Sequence, residues 1–188
     1  MINMSNAFTR RRGFTLVEAL IYIVLAALAF TFIIGIGQDL LLGSVKIQGE
    51  REVSFNARTA INLITQKIRG ANDVVLGSST FNSSPGVLTI TYPGVSPSII
   101  FDTYNKTLTK STGGTYVIRK LRMKEGTAAA VDLTNDKINI TNFVVRNLTK
   151  STEAHNINVE LTFTQANPAN DPNLNASISV ETAISLRH

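Results

Sequence analysis

The stretch from Phe14 to Ile36 limits what this chain can become. It holds fourteen Leu, Ile, Val or Phe residues and one charged side chain, Glu18. Such residues each favour insertion by about 0.3–0.6 kcal/mol, so the run contributes roughly −6 kcal/mol. A central Asp costs about 2.5–3.5 kcal/mol, and a Glu near the end of a span costs no more. Insertion wins despite Glu18. The run also satisfies the roughly 20 residues that a bilayer requires. Arg10, Arg11 and Arg12 stand immediately before it, which places the N-terminus in the cytoplasm. An ordinary secretory signal would have a shorter apolar core closed by a small-residue cleavage site. Here the nearest match, Ala27-Leu28-Ala29, lies in mid-run. A plain uncleaved anchor fits the hydropathy but leaves Glu18 unexplained.

Charge and cysteine content narrow the remainder. The net charge is +5, yet without the three arginines at 10–12 the 18 basic residues fall to 15 against 13 acids. That near-balance weakens an electrostatic nucleic-acid footprint. With no cysteine, disulfides and thiolate metal sites are excluded. At 188 residues the chain amounts to one domain with appendages.

Gly13-Phe14-Thr15-Leu16-Val17-Glu18 after a basic leader resembles the processing signal of type IV prepilins and type II secretion pseudopilins. The resemblance implies that a prepilin peptidase cuts between Gly13 and Phe14, behind the basic residues Arg10, Arg11 and Arg12. It also implies N-methylation of Phe14 and a mature chain of 175 residues whose apolar run is retained as a helix. It gives Glu18 a role as well. Cleavage exposes an ammonium on Phe14, with a reference pKa of about 8, one helical turn from that carboxylate. Unpaired charges in hydrocarbon are costly, so pairing Glu18 with the amine of a neighbouring subunit would set axial register in a filament. Pairing with its own amine, or snorkelling to the headgroups, are the alternatives.

Beyond the membrane, Val53, Ala57, Ala60/Ile61, Ile64 and Ile68 recur at three- and four-residue steps, the stripe of a helix lying on a core. Gly70 is the expected stop. Gly35, Gly37, Gly43 and Gly49 each cost about 1 kcal/mol relative to alanine, so a bend or fray is expected there. Ala26, Ala27, Ala29, Gly35 and Gly37 would let neighbouring helices approach, or would simply face lipid.

After Gly70 the pattern becomes strand-like. Residues 77–86 read as loop. Strands are expected at Val87–Tyr92, Ser98–Thr103, Thr107–Lys110, Tyr116–Met123, Ile138–Asn147, Asn156–Thr164 and Ala176–Leu186, with a hairpin turning near Asn105-Lys106. Ile157, Val159, Leu161 and Phe163 alternate with polar residues, as in a half-buried antiparallel strand. Residues 165–175 read as a surface loop. The expected class is α+β and pilin-like: a long N-terminal helix, transmembrane in its first half and amphipathic in its second, on an antiparallel head of six or seven strands in one sheet. The divisions are 1–13 leader, 14–37 transmembrane half, 38–70 amphipathic half and 71–188 head.

No catalytic constellation stands out, and no cofactor is implied. His155 falls in an expected loop and reads as solvated; His188 is the last residue. Asp132, Asp136 and Asp171 are candidate calcium ligands without EF-hand spacing. The segment from Phe55 through Arg69-Gly70-Ala71 is similar to the helix end of J-type minor pseudopilins and W-type minor pilins. The resemblance thus implies a non-enzymatic minor filament subunit. Its partners would be prepilin peptidase, other pilin or pseudopilin subunits, the inner-membrane assembly platform and membrane lipid. The alternative is a DNA-capturing or adhesive minor pilin using Lys106, Lys110, Arg119, Lys120, Arg122 and Lys124. Period-two geometry puts Arg119 on one strand face and Lys120 and Arg122 on the other, which disfavours a nucleic-acid patch and reads as solvated charge.

Overall fold

The computed structural model describes residues 15–110, 112–150, 155–171 and 174–186. Helix α1 runs from Leu16 to Arg69. The described strands are β1 (Asp73–Val74), β2 (Leu88–Tyr92), β3 (Val95–Thr109), β4 (Thr115–Glu125), β5 (Val131–Asp132), β6 (Ile138–Asn147), β7 (Asn156–Gln165) and β8 (Ser177–Ser185). Contacts divide the chain at Gly43/Ser44 into two units.

In the first unit α1 exposes its large apolar side chains on every side, from Val24 at 50% to Leu16 at 83%. Its best window has a mean hydropathy of 2.7, and none of it is buried. No proline interrupts the helix, and it continues through Gly35, Gly37, Gly43 and Gly49, so the expected fray at the glycines is not found.

In the second unit the same helix behaves differently. Val53, Ala57, Ala60, Ile64 and Ile68 are all buried to 1% exposure or less, in one core with β2, β3, β4, β6 and β7. Full burial of such a Val or Ile side chain is worth about 1.5–3 kcal/mol. The helix stops at Gly70, whose N–H donates to the Gln66 carbonyl at 3.1 Å. A Cβ there would come within 3.0 Å of the Tyr92 ring.

The strands form two antiparallel sheets, β1-β2-β3-β4-β5 and β6-β7-β8, in place of the single sheet expected. The reason lies at the facing edges of β4 and β6. On β4, the Arg119 N–H donates to Asn139 Oδ1 at 2.8 Å, and the Leu121 carbonyl accepts from the Leu133 N–H at 2.8 Å. On β6, the Phe143 and Val145 carbonyls accept from the N–H groups of Gly86 and Asn82, at 2.7 and 2.8 Å. With those groups taken by side chains and loops, no backbone ladder joins the sheets.

The hairpin expected at Asn105-Lys106 is overturned. Asn105 pairs with Arg119 and Lys106 with Ile118 inside a continuous β3–β4 ladder. The two strands instead end at Thr109 and begin again at Thr115, and the Lys110 N–H bonds the Gly114 carbonyl. Gly113 and Gly114 supply φ of 88° and 83°. Positive φ at successive residues suits glycine, and Asn-Lys could not match it. In β6, Ile138, Ile140, Phe143 and Val145 are all buried. An irregularity between Ile140 and Asn142 shifts the register. A bulge there lets both apolar pairs face inward although their spacing breaks the period of two. In β7, Ile157, Val159, Leu161 and Phe163 are each 0% exposed, as the alternation predicts.

Candidate functional site

Two places carry the residues singled out above: the start of α1 and the basic segment of β3–β4. At the start of α1, Arg10, Arg11, Arg12, Gly13 and Phe14 lie outside the described residues, as does His188. Thr15 stands just before the helix. Its Oγ1 accepts the Glu18 N–H at 3.2 Å, and its carbonyl accepts the Ala19 N–H at 3.1 Å. Thr15 is therefore an N-cap that satisfies one of the otherwise orphan donors of the first turn. Thr15-Leu16-Val17-Glu18 has the T-x-x-E spacing of a capping box. The sequence reading passed over that signal. Glu18 is exposed in the first turn, where a negative charge is favoured by the helix dipole, and it has no ion pair among the described residues. Position and dipole thus hold an acid at the N-terminal end of an apolar rod. The glycines along that rod are uncrowded among the described residues: a Cβ at Gly35, Gly37 or Gly43 would touch nothing within 4 Å.

Three residues of the basic segment, Lys106, Lys120 and Arg122, are paired with acids of the head, whereas Arg119 and Lys124 have no ion pair among the described residues. Lys120, expected on a solvated face, is only 3% exposed. Asp132 of β5 and Asp136 just before β6 cover it, at 3.0 and 2.7 Å from its Nζ. The Lys106 Nζ reaches both oxygens of Asp136 at 2.9 Å, and the Tyr104 hydroxyl donates to Asp132 at 3.1 Å. Arg122 clasps Asp102 through Nε and Nη2 at 2.6 and 2.9 Å and lies 4.9 Å from the Tyr104 ring centroid. The Lys110 Nζ donates to the Pro168 carbonyl at 3.2 Å. Burial works against the Lys120 ammonium, but its hydrogen bonds to Asp136 and Asp132 outweigh that and raise its pKa. Hydrogen bonds from Lys120 and Lys106 hold the Asp136 carboxyl below its ordinary range.

Of the candidate calcium ligands, Asp132 and Asp136 serve Lys120, and Asp171 lies apart in the loop before β8, its backbone N–H and carbonyl bonded to the Asn167 side chain at 2.9 and 2.7 Å. No group of three His, Asp or Glu side chains able to hold a metal occurs among the described residues. His155 is not merely solvated. Its Nε2 lies 2.9 Å from Asp73 Oδ1, and its Nδ1 is 3.2 Å from Thr149 Oγ1. This fastens the start of β7 to β1.

Two further residues were not singled out by sequence. Asn56, 7% exposed, donates to the Glu52 carbonyl at 2.9 Å and accepts the Asn135 N–H at 3.1 Å. A polar residue inside an apolar stripe was its only signal. Gly49 is buried, and a Cβ on it would collide with the Gln165 side-chain amide.

Residues 8–34 match the model described as the prokaryotic N-terminal methylation motif. The match covers Glu18 and most of the exposed apolar half of α1. No curated protein and no solved structure matches the chain.

Proposed function

We propose, for a chain whose N-terminus matches the prokaryotic N-terminal methylation motif and resembles that of type IV pilins and pseudopilins, a structural role as a minor subunit of a type IV pilus or type II secretion-like filament. Prepilin peptidase cuts between Gly13 and Phe14 and the new terminus is methylated. The subunit then resides in the membrane with its N-terminus cytoplasmic and residues 71–188 on the far side. The assembly platform extracts it, and α1 joins the helices of other subunits.

The observation that carries this reading is the exposure of the apolar half of α1 on every side, with one acid at its first turn. A helix apolar all round demands an apolar surrounding, first lipid and then other such helices. Within that surrounding the Phe14 ammonium and the Glu18 carboxylate each need a counter-charge, and subunits in register supply it. The minor role is supported by the size of the head relative to the shorter abundant pseudopilins. Internal pairing of Lys106, Lys120 and Arg122 favours an assembly role over DNA capture. No reaction chemistry enters this mechanism.

Mass spectrometry of the protein from cells with an active prepilin peptidase tests the reading. The expected N-terminus is N-methylated Phe14. An intact Met1 in cells that process their other prepilins would overturn it. Glu18→Leu separates processing from assembly: normal trimming with lost filament entry is expected, and normal entry would remove the register role.

A further inference from the structure

The outer edge of β8 has no partner strand among the described residues. A trough runs beside it. Three adjoining depressions share Ser54, and two of them share Ile178. The floor is Ala57 and Ile61 of α1 with Ile178 and Val180 of β8. Coverage of the inner sheet face falls away there. Phe163 and Leu161 of β7 are 0% exposed, whereas their cross-strand neighbours Ile178 and Val180 are only half-buried. The rim carries Lys46, Arg51 and Arg58 against one acid, Glu50. Neither arginine has an ion pair among the described residues.

A row of free backbone groups beside an apolar floor fits one kind of occupant. An added strand would complete the ladder and lay every second side chain on the floor. The chain's own open strands fit poorly. A second β8 paired antiparallel in matched register would set Glu181, at the strand centre, against its copy, and like charges directly opposite are destabilising. Another long open edge among the described residues is β3 beyond Phe101, where its pairing with β2 ends. One face of that segment carries, beside Leu108, Asp102, Tyr104 and Lys106, which are already bonded to Arg122, Asp132 and Asp136, and the other offers only Thr103, Asn105, Thr107 and Thr109 to the apolar floor.

We infer that the β8 edge and its trough form a docking site for an extended strand of a different protein chain. That strand carries apolar side chains at alternate positions and a carboxylate opposite Arg58. The inference does not depend on the assembly reading.

The test uses the full chain in detergent micelles and a labelled peptide of nine residues, the length of β8. The peptide alternates threonine with valine and has one glutamate on the valine face. Saturable binding is expected by fluorescence polarisation. Arg58→Glu, an exposed change that spares the core, should weaken it at least about tenfold. N-methylation of every second amide on the pairing edge should abolish it, which burial of apolar surface alone would not require. Val180→Lys, verified as folded by circular dichroism, should also block it. Absence of saturable binding, or equal binding of the N-methylated peptide, would overturn the proposal. So would concentration-dependent self-association of the chain that Val180→Lys abolishes.

Discussion

The two halves of α1 share one secondary structure and opposite fates. From Leu16 to Gly43 apolar residues occupy all sides and stay exposed. From Ser44 to Arg69 one stripe, Val53, Ala57, Ala60, Ile64 and Ile68, vanishes into a core, and Val45, Ile47 and Phe55 off that stripe stay exposed. Ile23 is 69% exposed and Ile64 is 1% exposed, although both are isoleucines in one helix. What decides burial is how apolar residues are distributed around the axis, because a single sheet layer can cover one stripe and no more. The half with the greater hydropathy is therefore the half that the chain itself cannot shelter.

The largest effect that sharpens this contrast comes from paired truncations. Ile64→Ala should cost the head about 2–5 kcal/mol through lost transfer energy and a cavity. Ile23→Ala should leave head stability within about 0.5 kcal/mol. Urea unfolding in detergent, followed by near-ultraviolet circular dichroism, measures both. Equal losses would break the comparison.

Glycines offer a contrast in surroundings. In Gly49→Ala the methyl must displace the flexible end of Gln165, which offsets the helix propensity gained and should leave stability within about 0.5 kcal/mol of the parent. Gly43→Ala meets nothing within 4 Å and should stabilise the helix by up to about 1 kcal/mol. Thermal melts of the two variants against the parent decide it.

Acid should act on the head through Asp136. Its carboxyl is held low by Lys120 and Lys106, so its contribution is complete above the unfolded value of about 3.9. The contribution is lost as pH falls through the lower folded value. Urea midpoints of the parent should drop below about pH 4, and Asp136→Asn should flatten that drop. An unchanged slope in the variant would show that this carboxylate is not the group responsible.

The smallest effect belongs to the exposed half. Thr15→Ala removes the N-cap and should loosen the first turn by about 1 kcal/mol, seen as faster amide exchange at Glu18. The head should be unaffected.

Much of this was legible before any coordinates. The stripe at 53–68, the stop at Gly70 and the alternation in β7 follow from side-chain period, which local sequence states directly. Features that depend on distant partners were not legible. Lys120 looked like surface charge because Asp132 and Asp136, which bury it, lie 12 and 16 residues away. The division into two sheets depends on Asn139 and Asn82 meeting strand edges, a tertiary event. The β3–β4 turn was misplaced for a different reason. Asn105-Lys106 has some turn character, but Gly113-Gly114 satisfies the positive φ, and the longer ladder that results pairs eleven residues on each strand. At the N-terminus, the apolar run and its lone acid were plain. The T-x-x-E cap was equally visible but was not read.

The contact between Gly49 and Gln165 has a mechanical consequence. Where α1 passes the end of β7, the missing Cβ lets the Gln165 amide lie directly on the helix backbone. A larger residue there would have to turn that flexible side chain aside. One glutamine rotamer at the strand end thus takes part in setting how the helix is seated.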